Sequence, residues 1–151
     1  MLKKLKIGVL MGGPSAEHEV SLASGKNVLE NLNKNKYDSV PVLISKNGQW
    51  RMNGKISNYQ DIFKKIDFAF LALHGEFGED GRVQALLEIH HVPYNGSGLG
   101  ASALAMDKKQ SRDLFKIAGL NVPKTLHIQQ GESYESLLNF FVSKVSKFPV
   151  V

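Results

Sequence analysis

The sequence of 151 residues contains no cysteine. Disulfide bonds, thiolate metal sites and cysteine nucleophiles are therefore excluded, and the absence fits a reducing compartment. No run approaches the roughly 20 apolar residues that a membrane-spanning helix needs. The apolar run Ile7–Met11 is also shorter than the core of a signal peptide, about 7–15 residues. We therefore expect a cytoplasmic protein with no membrane partner.

Arginine is scarce as well, with three residues beside sixteen lysines in a chain of formal net charge +5. Proteins that bind nucleic acids concentrate positive charge on one face and favour arginine. Here the lysines are spread along the chain from Lys3 to Lys147. We therefore expect a solvated basic surface and no nucleic-acid partner.

Apolar runs alternate with segments of helical spacing. Strands are predicted at Ile7–Met11, Val40–Ile44, Phe68–Leu73 and Val92–Tyr94, and helices around residues 20–32, 83–90 and 111–118. Strands that alternate with helices imply a mostly parallel sheet. The predicted class is therefore α/β, with a Rossmann-like parallel sheet flanked by helices.

The alternation begins again after Pro123, with a predicted strand at 125–128 and a helix that carries Tyr134 and Leu138. We predict one domain over residues 1–106 and a second over 107–151. The sequence stops inside the apolar run Phe148–Val151, and a buried strand needs partners for its backbone groups on both sides. We therefore expect a complete first domain and only the beginning of a second.

Two polar segments that contain glycine follow predicted strands. Gly12–Ser21 carries Glu17 and His18, and His74–Gly81 begins with a histidine. In α/β proteins the loops at the carboxyl ends of parallel strands converge on one crevice, where ligands bind. The two segments therefore predict a small-molecule site.

Glu17 and His74 each allow two interpretations. Glu17 could simply complement a helix dipole, worth about 0.3–1 kcal/mol, or it could bind a ligand. A carboxylate repels phosphate, so an ammonium group would be the better ligand. His74 could bond a backbone carbonyl at the edge of the core, or donate to a substrate carboxylate. His18 is expected on the surface or bracing its loop.

Other acids and histidines fit structural roles better. Glu79 and Asp80 are predicted to accept hydrogen bonds from backbone N–H groups in a turn rather than to act as catalytic acids. The histidines and acids show no spacing typical of metal ligands. We therefore predict no metal site in this segment.

Gly96, Gly98 and Ala101 match the G-x-G-x-x-A pattern of dinucleotide-binding sites. The preceding strand is short and contains Pro93, and no acidic residue follows at the required distance. A nucleotide-dependent oxidoreductase is therefore kept as an alternative, together with a non-catalytic module that binds a small molecule.

Taken together, four segments strongly resemble the amino-terminal part of D-alanine–D-alanine ligases: GGPSAEHEVS, LALHGEFGEDGRVQALLE, VPYNGSG and ASALAMDKKQSRDLFKIAGLNVP. They are long, ordered and spread over nearly the whole chain. Such ligases belong to the ATP-grasp superfamily. The resemblance therefore implies a pre-ATP-grasp α/β domain followed by the start of an ATP-grasp domain.

The resemblance also implies a reaction. ATP, the co-substrate, phosphorylates the carboxylate of one D-alanine, and the amine of a second D-alanine attacks the acyl phosphate to form D-alanyl-D-alanine for peptidoglycan. By motif position, Glu17 is similar to the glutamate that holds the first ammonium group, and Val20 to an apolar neighbour of that substrate. His74 corresponds to the histidine near the first carboxylate, and Lys108 to a lysine that contacts the ATP phosphates. Glu17 and His74 are thus the predicted catalytic residues.

Two positions depart from the family pattern, since Ala85 stands where glycine is usual and Asn95 where threonine is common. The resemblance places the other catalytic groups, including ligands for Mg²⁺ or Mn²⁺, beyond residue 151. We therefore expect this segment to be inactive alone. The family also implies a homodimer through the first domain. These residues do not decide whether the second substrate is D-alanine, D-lactate or D-serine.

Overall fold

The computed structural model describes residues 3–123, 125, 131 and 133–144. The chain divides into two compact units, Met1–Lys108 and Lys109–Val151. The assignment of the second unit to an ATP-grasp domain stays a prediction. The strand predicted at 125–128 lies outside the described residues, apart from Thr125.

The first unit contains one five-stranded sheet. Its strands are β1 (Leu5–Gly12), β2 (Tyr37–Ile44), β3 (Trp50–Met52), β4 (Lys55–Ile56) and β5 (Phe68–Leu71). They are arranged in the order β4-β3-β2-β1-β5. The central strand β1 is parallel to β2 and to β5, with Leu10 opposite both Val42 and Leu71. The predicted α/β class with parallel central strands is therefore confirmed.

Helices connect and follow these strands. The first unit contains α1 (His18–Asn31), α2 (Tyr59–Phe63), α3 (Arg82–Ile89) and α4 (Leu99–Met106). The helix α5 (Lys108–Ile117) begins at the last residue of the first unit, and α6 (Tyr134–Lys144) belongs to the second. The three helices predicted around 20–32, 83–90 and 111–118 are confirmed as α1, α3 and α5, with their ends shifted by one to three residues.

The β3–β4 hairpin is not predicted by the apolar pattern of the sequence. The hairpin extends the sheet beyond β2 in antiparallel fashion. Asn53 and Gly54 form its turn with φ of +50° and +78°, and Asn-Gly is the pair that two-residue hairpin turns favour. The two strands have three and two residues, which is too short for an alternating apolar pattern to be recognised.

The prediction of a strand at Val92–Tyr94 is wrong. These residues contribute a single isolated bridge, between Tyr94 and Ala69. Pro93 has no N–H to donate, although its carbonyl accepts from the Ala69 amide at 2.8 Å. The Val92 amide donates back to Leu87 at the end of α3. The backbone groups of Val92 and Pro93 therefore bond to the end of α3 and to β5, respectively, and do not form a strand.

Both faces of the sheet are covered. On one face Leu10, Val42, Ile44, Ile62 and Leu87 are buried in the main core. On the other face a smaller cluster of Ile7, Val9 and Ala72 packs against side chains of α1. Successive residues of a strand point to opposite faces. This two-sided burial explains why β1 reads as an unbroken apolar run.

The helix α1 lies very close to β1 because residue 25 is glycine. A Cβ atom added at Gly25 would lie 2.6 Å from the Cβ and the Sδ of Met11. The close approach places the first turn of α1 beside the loop that follows β1. It therefore positions the polar segment Gly12–Ser21.

We expect Gly25→Ala to lower the free energy of unfolding by about 1–3 kcal/mol, because the added methyl group overpacks against Met11. Urea unfolding followed by the fluorescence of Trp50, the single tryptophan, measures the change. The matched control is Gly100→Ala in α4, where an added Cβ meets nothing within 4 Å. There we expect a neutral effect or a gain of up to about 1 kcal/mol. Equal losses at both positions would contradict the packing explanation.

Candidate functional site

The loops that follow β1 and β5 lie next to each other, because these two strands are adjacent and parallel. The first loop begins with a sharp turn at Gly12 and Gly13, whose φ angles are +89° and +92°. Only glycine adopts such angles without strain. A Cβ at Gly12 would also collide with the carbonyl oxygen of Ile44. The double glycine therefore turns the chain from the strand end into α1.

Ser15 joins the two loops. Its hydroxyl group donates to the carbonyl oxygen of His74 at 2.7 Å and accepts from the Glu17 amide at 3.1 Å. The side chain is buried. Ser15 therefore holds the backbone of His74 at a set position relative to Glu17.

Ser21 makes a second connection, at the ends of the strands. Its hydroxyl group accepts from the Gly12 amide at 2.8 Å and donates to the Ala72 carbonyl at 2.7 Å. Ser21 is 0% exposed. The sequence pattern does not mark Ser15 and Ser21 as site residues, since a serine near a helix start is ordinarily a capping residue.

The Glu17 carboxylate lies against the loop that begins at His74. A Cβ added at Gly75 would lie 2.6 Å from Glu17 Oε2. Glu17 is the N-cap residue of α1, yet its side chain makes no capping hydrogen bond. Its carboxylate is exposed and has no polar partner among the residues that the structure describes. The geometry therefore leaves this anionic group available to a ligand.

His74 and His18 have different partners. The half-buried ring of His74 bonds through Nε2 to the Ser24 hydroxyl on α1, at 2.9 Å. His18, which is 8% exposed, bonds through Nδ1 to the Gly13 carbonyl at 2.6 Å. His18 thus braces its loop, which is one of the two roles predicted for it. The backbone-bonded histidine that was considered for residue 74 is found at residue 18.

The other two predicted site residues are Val20 and Lys108. Val20, on the first turn of α1, is 57% exposed. Lys108 lines a cleft of about 380 Å³ whose lining residues, among those described, do not include Glu17, Val20 or His74. The Lys108 Nζ donates to the Ala105 carbonyl at 2.8 Å. The geometry therefore places Glu17 and His74 at adjoining loops, and Lys108 at a cleft that Gly78 and Glu79 of the second loop also line.

Gln84 also lines the cleft of Lys108 and was not predicted as a site residue. It is 4% exposed, and its Nε2 donates to the Gly78 carbonyl at 2.8 Å. Within the described part of the chain, its Oε1 has no hydrogen-bond partner. Gln84 therefore anchors the loop after β5 onto α3.

The acids at the end of the second loop are satisfied within the loop. Glu79 accepts from the Gly75 amide at 2.9 Å, and Asp80 accepts from the amides of Phe77 and Arg82 at 2.8 and 3.1 Å. Burial acts to raise the pKa of Asp80, but hydrogen bonds from the Arg82 side chain and from these amides outweigh it and lower the pKa. The prediction that Glu79 and Asp80 brace a turn is confirmed.

The G-x-G-x-x-A segment does not have the geometry of a dinucleotide site. Such sites bind a pyrophosphate at a helix N-terminus. Here the Glu88 carboxylate accepts from the Leu99 amide, the first residue of α4, at 3.0 Å, and from the Tyr94 hydroxyl at 2.6 Å. Burial and the hydrogen bond to Glu88 raise the pKa of Tyr94 to about 12. A carboxylate already holds the position of the phosphate and would repel it.

A second cleft, of about 720 Å³, lies at the amino-terminal edge of the sheet. Its lining includes six lysines: Lys3, Lys4, Lys6, Lys34, Lys64 and Lys65. Lys34 follows the end of α1, and Lys64 is the C-cap residue of α2. Cations at these ends offset the partial negative charge of a helix C-terminus. The helix ends therefore concern two of the six lysines, Lys34 and Lys64.

The fold and the site together define the class of the chain, an α/β domain with polar loops gathered at the carboxyl edge of its parallel strands. In the described residues, no helix is long and apolar enough to span a membrane, and no group of three metal-binding side chains occurs. The sequence matches the family described as D-ala D-ala ligase N-terminus over residues 6–62 and 51–97. The chain belongs to this family.

Individual relatives show the same similarity. A D-alanine–D-alanine ligase of Clostridium beijerinckii is 42% identical over 134 residues, which are 87% of this chain and 40% of the relative. The structure of the D-alanine–D-alanine ligase from Coxiella burnetii superposes with a TM-score of 0.82 at 26% identity, covering 95% of this chain and 49% of that protein. The corresponding enzyme from Bacillus anthracis, solved in complex with ATP, has a TM-score of 0.72 at 36% identity and covers 89% and 44%. This chain thus spans less than half the length of these relatives.

We expect Gly75→Ala to displace the Glu17 carboxylate, because the new Cβ would take its place against the loop. The matched control is Gly48→Ala, since Gly48 has a φ of +80°, close to the +69° of Gly75, but open space around it. Both substitutions should cost about 1–2 kcal/mol of backbone strain. Only Gly75→Ala should shift the amide resonances of Ser15 and Glu17 in ¹H–¹⁵N spectra. Unchanged resonances in that variant would contradict the contact.

Proposed function

We propose that this chain contributes the first D-alanine site of an ATP-dependent D-alanine–D-alanine ligase. One observation carries the proposal. Of the acids in the two loops, Glu79 and Asp80 bind backbone amides and Glu76 pairs with Arg82 at 3.9 Å. Glu17 is the one without a polar partner in the described part of the chain. An isolated carboxylate held beside a histidine suits a ligand that carries both an ammonium group and a carboxylate.

The charges of an amino acid match this arrangement. A hydrogen bond between the ligand ammonium group and Glu17 is charge-assisted on both sides, and such bonds are roughly twice as strong as neutral ones. The ligand carboxylate would then face the ring of His74, which can donate a hydrogen bond. Gly75 leaves room for the Glu17 carboxylate, because a Cβ atom there would lie 2.6 Å from Glu17 Oε2. Val20, exposed on the first turn of α1, is proposed as the apolar neighbour of the substrate methyl group.

Activation of the carboxylate by ATP needs more positive charge than the described residues bring to the smaller cleft. Phosphoryl transfer depends on preorganised cations and a metal ion around the phosphates. Among the described residues, Lys108 is the single cation that lines the smaller cleft. We propose that it contacts the ATP phosphates. The other cations and the Mg²⁺ or Mn²⁺ ligands are proposed to lie beyond residue 151, and the solved ATP complex of the Bacillus anthracis relative supports the use of ATP.

Further properties of the complete ligase are proposals from the family. They are a homodimer through the first domain, a cytoplasmic location and a product used in peptidoglycan. D-alanine is proposed as the second substrate from the names of the relatives above, and D-serine is the alternative because a similar structure is the D-Ala:D-Ser ligase of Enterococcus faecalis. The geometry disfavours an oxidoreductase, because the Glu88 carboxylate occupies the position where a dinucleotide phosphate would bind.

We expect the isolated 151-residue chain to release no phosphate above background when it is incubated with ATP, Mg²⁺ and D-alanine. The reason is that one lysine cannot stabilise the charge that develops on a transferring phosphoryl group. A coupled assay for inorganic phosphate measures the rate. Steady release that depends on D-alanine would overturn the proposed division of the catalytic groups.

In the complete ligase, we expect Glu17→Gln to raise the KM for the first D-alanine by about 10–100-fold, the loss of a hydrogen bond to a charged group. The KM for ATP should stay unchanged. The matched control is Glu19→Gln, which removes the same charge from a neighbouring exposed residue whose carboxylate lies 3.7 Å from Lys46. Equal effects on D-alanine and ATP, or equal effects of the two variants, would count against the role of Glu17.

A further inference from the structure

The hydrogen bond between Ser24 and His74 links α1 to the loop after β5. Ser24 Oγ and His74 Nε2 are 2.9 Å apart, and both residues are half-buried. Elsewhere in the described part of the chain, the Ser24 hydroxyl has no other hydrogen-bond partner. The second ring nitrogen of His74, Nδ1, is also without a partner there. The ring is therefore held at one nitrogen and free at the other.

The serine hydroxyl can face Nε2 of His74 as a donor or as an acceptor, and the two cases place the ring proton differently. A hydroxyl group has one hydrogen to donate and lone pairs that accept. The Nε2 atom of His74 is the acceptor within reach of the Ser24 hydrogen. If Ser24 donates, Nε2 is unprotonated and the proton of the neutral ring sits on Nδ1. If the ring gains a second proton, the hydroxyl rotates and accepts from Nε2–H. In both of these states Nδ1 carries a proton, whereas a neutral ring protonated on Nε2 would donate to Ser24 and leave Nδ1 bare.

We propose that Ser24 is a positioning residue that keeps Nδ1 of His74 protonated and directed at the carboxylate of a bound amino acid. Ser15 holds the backbone of His74 through its carbonyl oxygen, and Ser24 sets the orientation and tautomer of the ring. The role toward a ligand carboxylate rests on the proposed function. The tautomer of His74 does not depend on it.

His18 provides an internal reference for this tautomer. Its Nδ1 lies 2.6 Å from the Gly13 carbonyl, and a carbonyl oxygen can only accept. His18 therefore carries its proton on Nδ1 when the ring is neutral. The exposed ring of His91 serves as a reference for a histidine with no such constraint.

The test is a long-range ¹H–¹⁵N spectrum of the imidazole rings of this chain at about pH 9, where an ordinary histidine is neutral. We expect the ring nitrogens of His74 to show the Nδ1–H pattern of His18. The variants are Ser24→Thr, which keeps the hydroxyl group and adds a methyl group, and Ser24→Val. Valine has the shape of threonine with a methyl group in place of the hydroxyl group. Both are β-branched, so they cost a helix similar amounts.

We expect Ser24→Thr to retain the Nδ1–H pattern and Ser24→Val to shift His74 towards that of His91, while His18 stays unchanged in both. An Nε2–H pattern for His74 in the unsubstituted chain would overturn the proposal. So would a Ser24→Val variant in which His74 keeps the pattern of His18. A change at His18 would show disruption of α1 as a whole and would also count against a specific role.

A kinetic arm tests the role toward the ligand. In the complete ligase, we expect Ser24→Val to raise the KM for D-alanine about 2–10-fold, the loss of one ordinary hydrogen bond, with the KM for ATP unchanged and with rescue by Ser24→Thr. A tautomer change without this effect would overturn the substrate contact. Absence of any D-alanine-dependent ATP hydrolysis in the unsubstituted ligase would refute the proposed function instead, and the spectra would still decide the role of Ser24.

Discussion

The parallel pairing of β1 with β5 is the constraint on which the site depends. It brings two loops together that are far apart in the sequence, and Ser21 completes the pairing where the ladder ends, by bonding the Gly12 amide and the Ala72 carbonyl. Ser21 is fully buried, and without its hydroxyl group these two backbone groups would lose their partner. Leaving each unsatisfied would cost about 1–3 kcal/mol. One hydroxyl group therefore stabilises the sheet edge and sets the distance between the loops.

The electrostatics of the two loops follow from this arrangement. Most carboxylates near the site have internal partners, such as the Phe77 and Arg82 amides for Asp80 and the Tyr94 hydroxyl for Glu88. The low pKa of Asp80 keeps it ionised at neutral pH, so it stabilises the loop and is unsuited to donating protons. These carboxylates therefore maintain the loop geometry through hydrogen bonds within the protein. The ligand-binding capacity is left to Glu17 and to the ring of His74.

Most of the architecture could be predicted because long elements repeat the same pattern. The strands β1, β2 and β5 are apolar runs, and α1 shows a helical stripe, so local burial identified them. The hairpin β3–β4 escaped because strands of three and two residues show too few alternations. At Val92–Tyr94 the apolar pattern was misleading, since Pro93 cannot donate to a ladder. The lysines are also distributed along the whole sequence, whereas the folded chain brings six of them together around one cleft.

For the candidate site, the sequence by itself determined the chemical groups: a carboxylate and a histidine after two buried strands, in motifs that identify the family. Only the tertiary structure decided their partners. Ser24 and His74 are 50 positions apart, and Ser21 and Ala72 are 51 positions apart. Nothing local to either segment encodes such a pair. The physical reason is that periodicity reports which side of one element is buried. Hydrogen bonds between elements depend on the close approach of α1 to β1 at Gly25, which is settled when the sheet and helix pack.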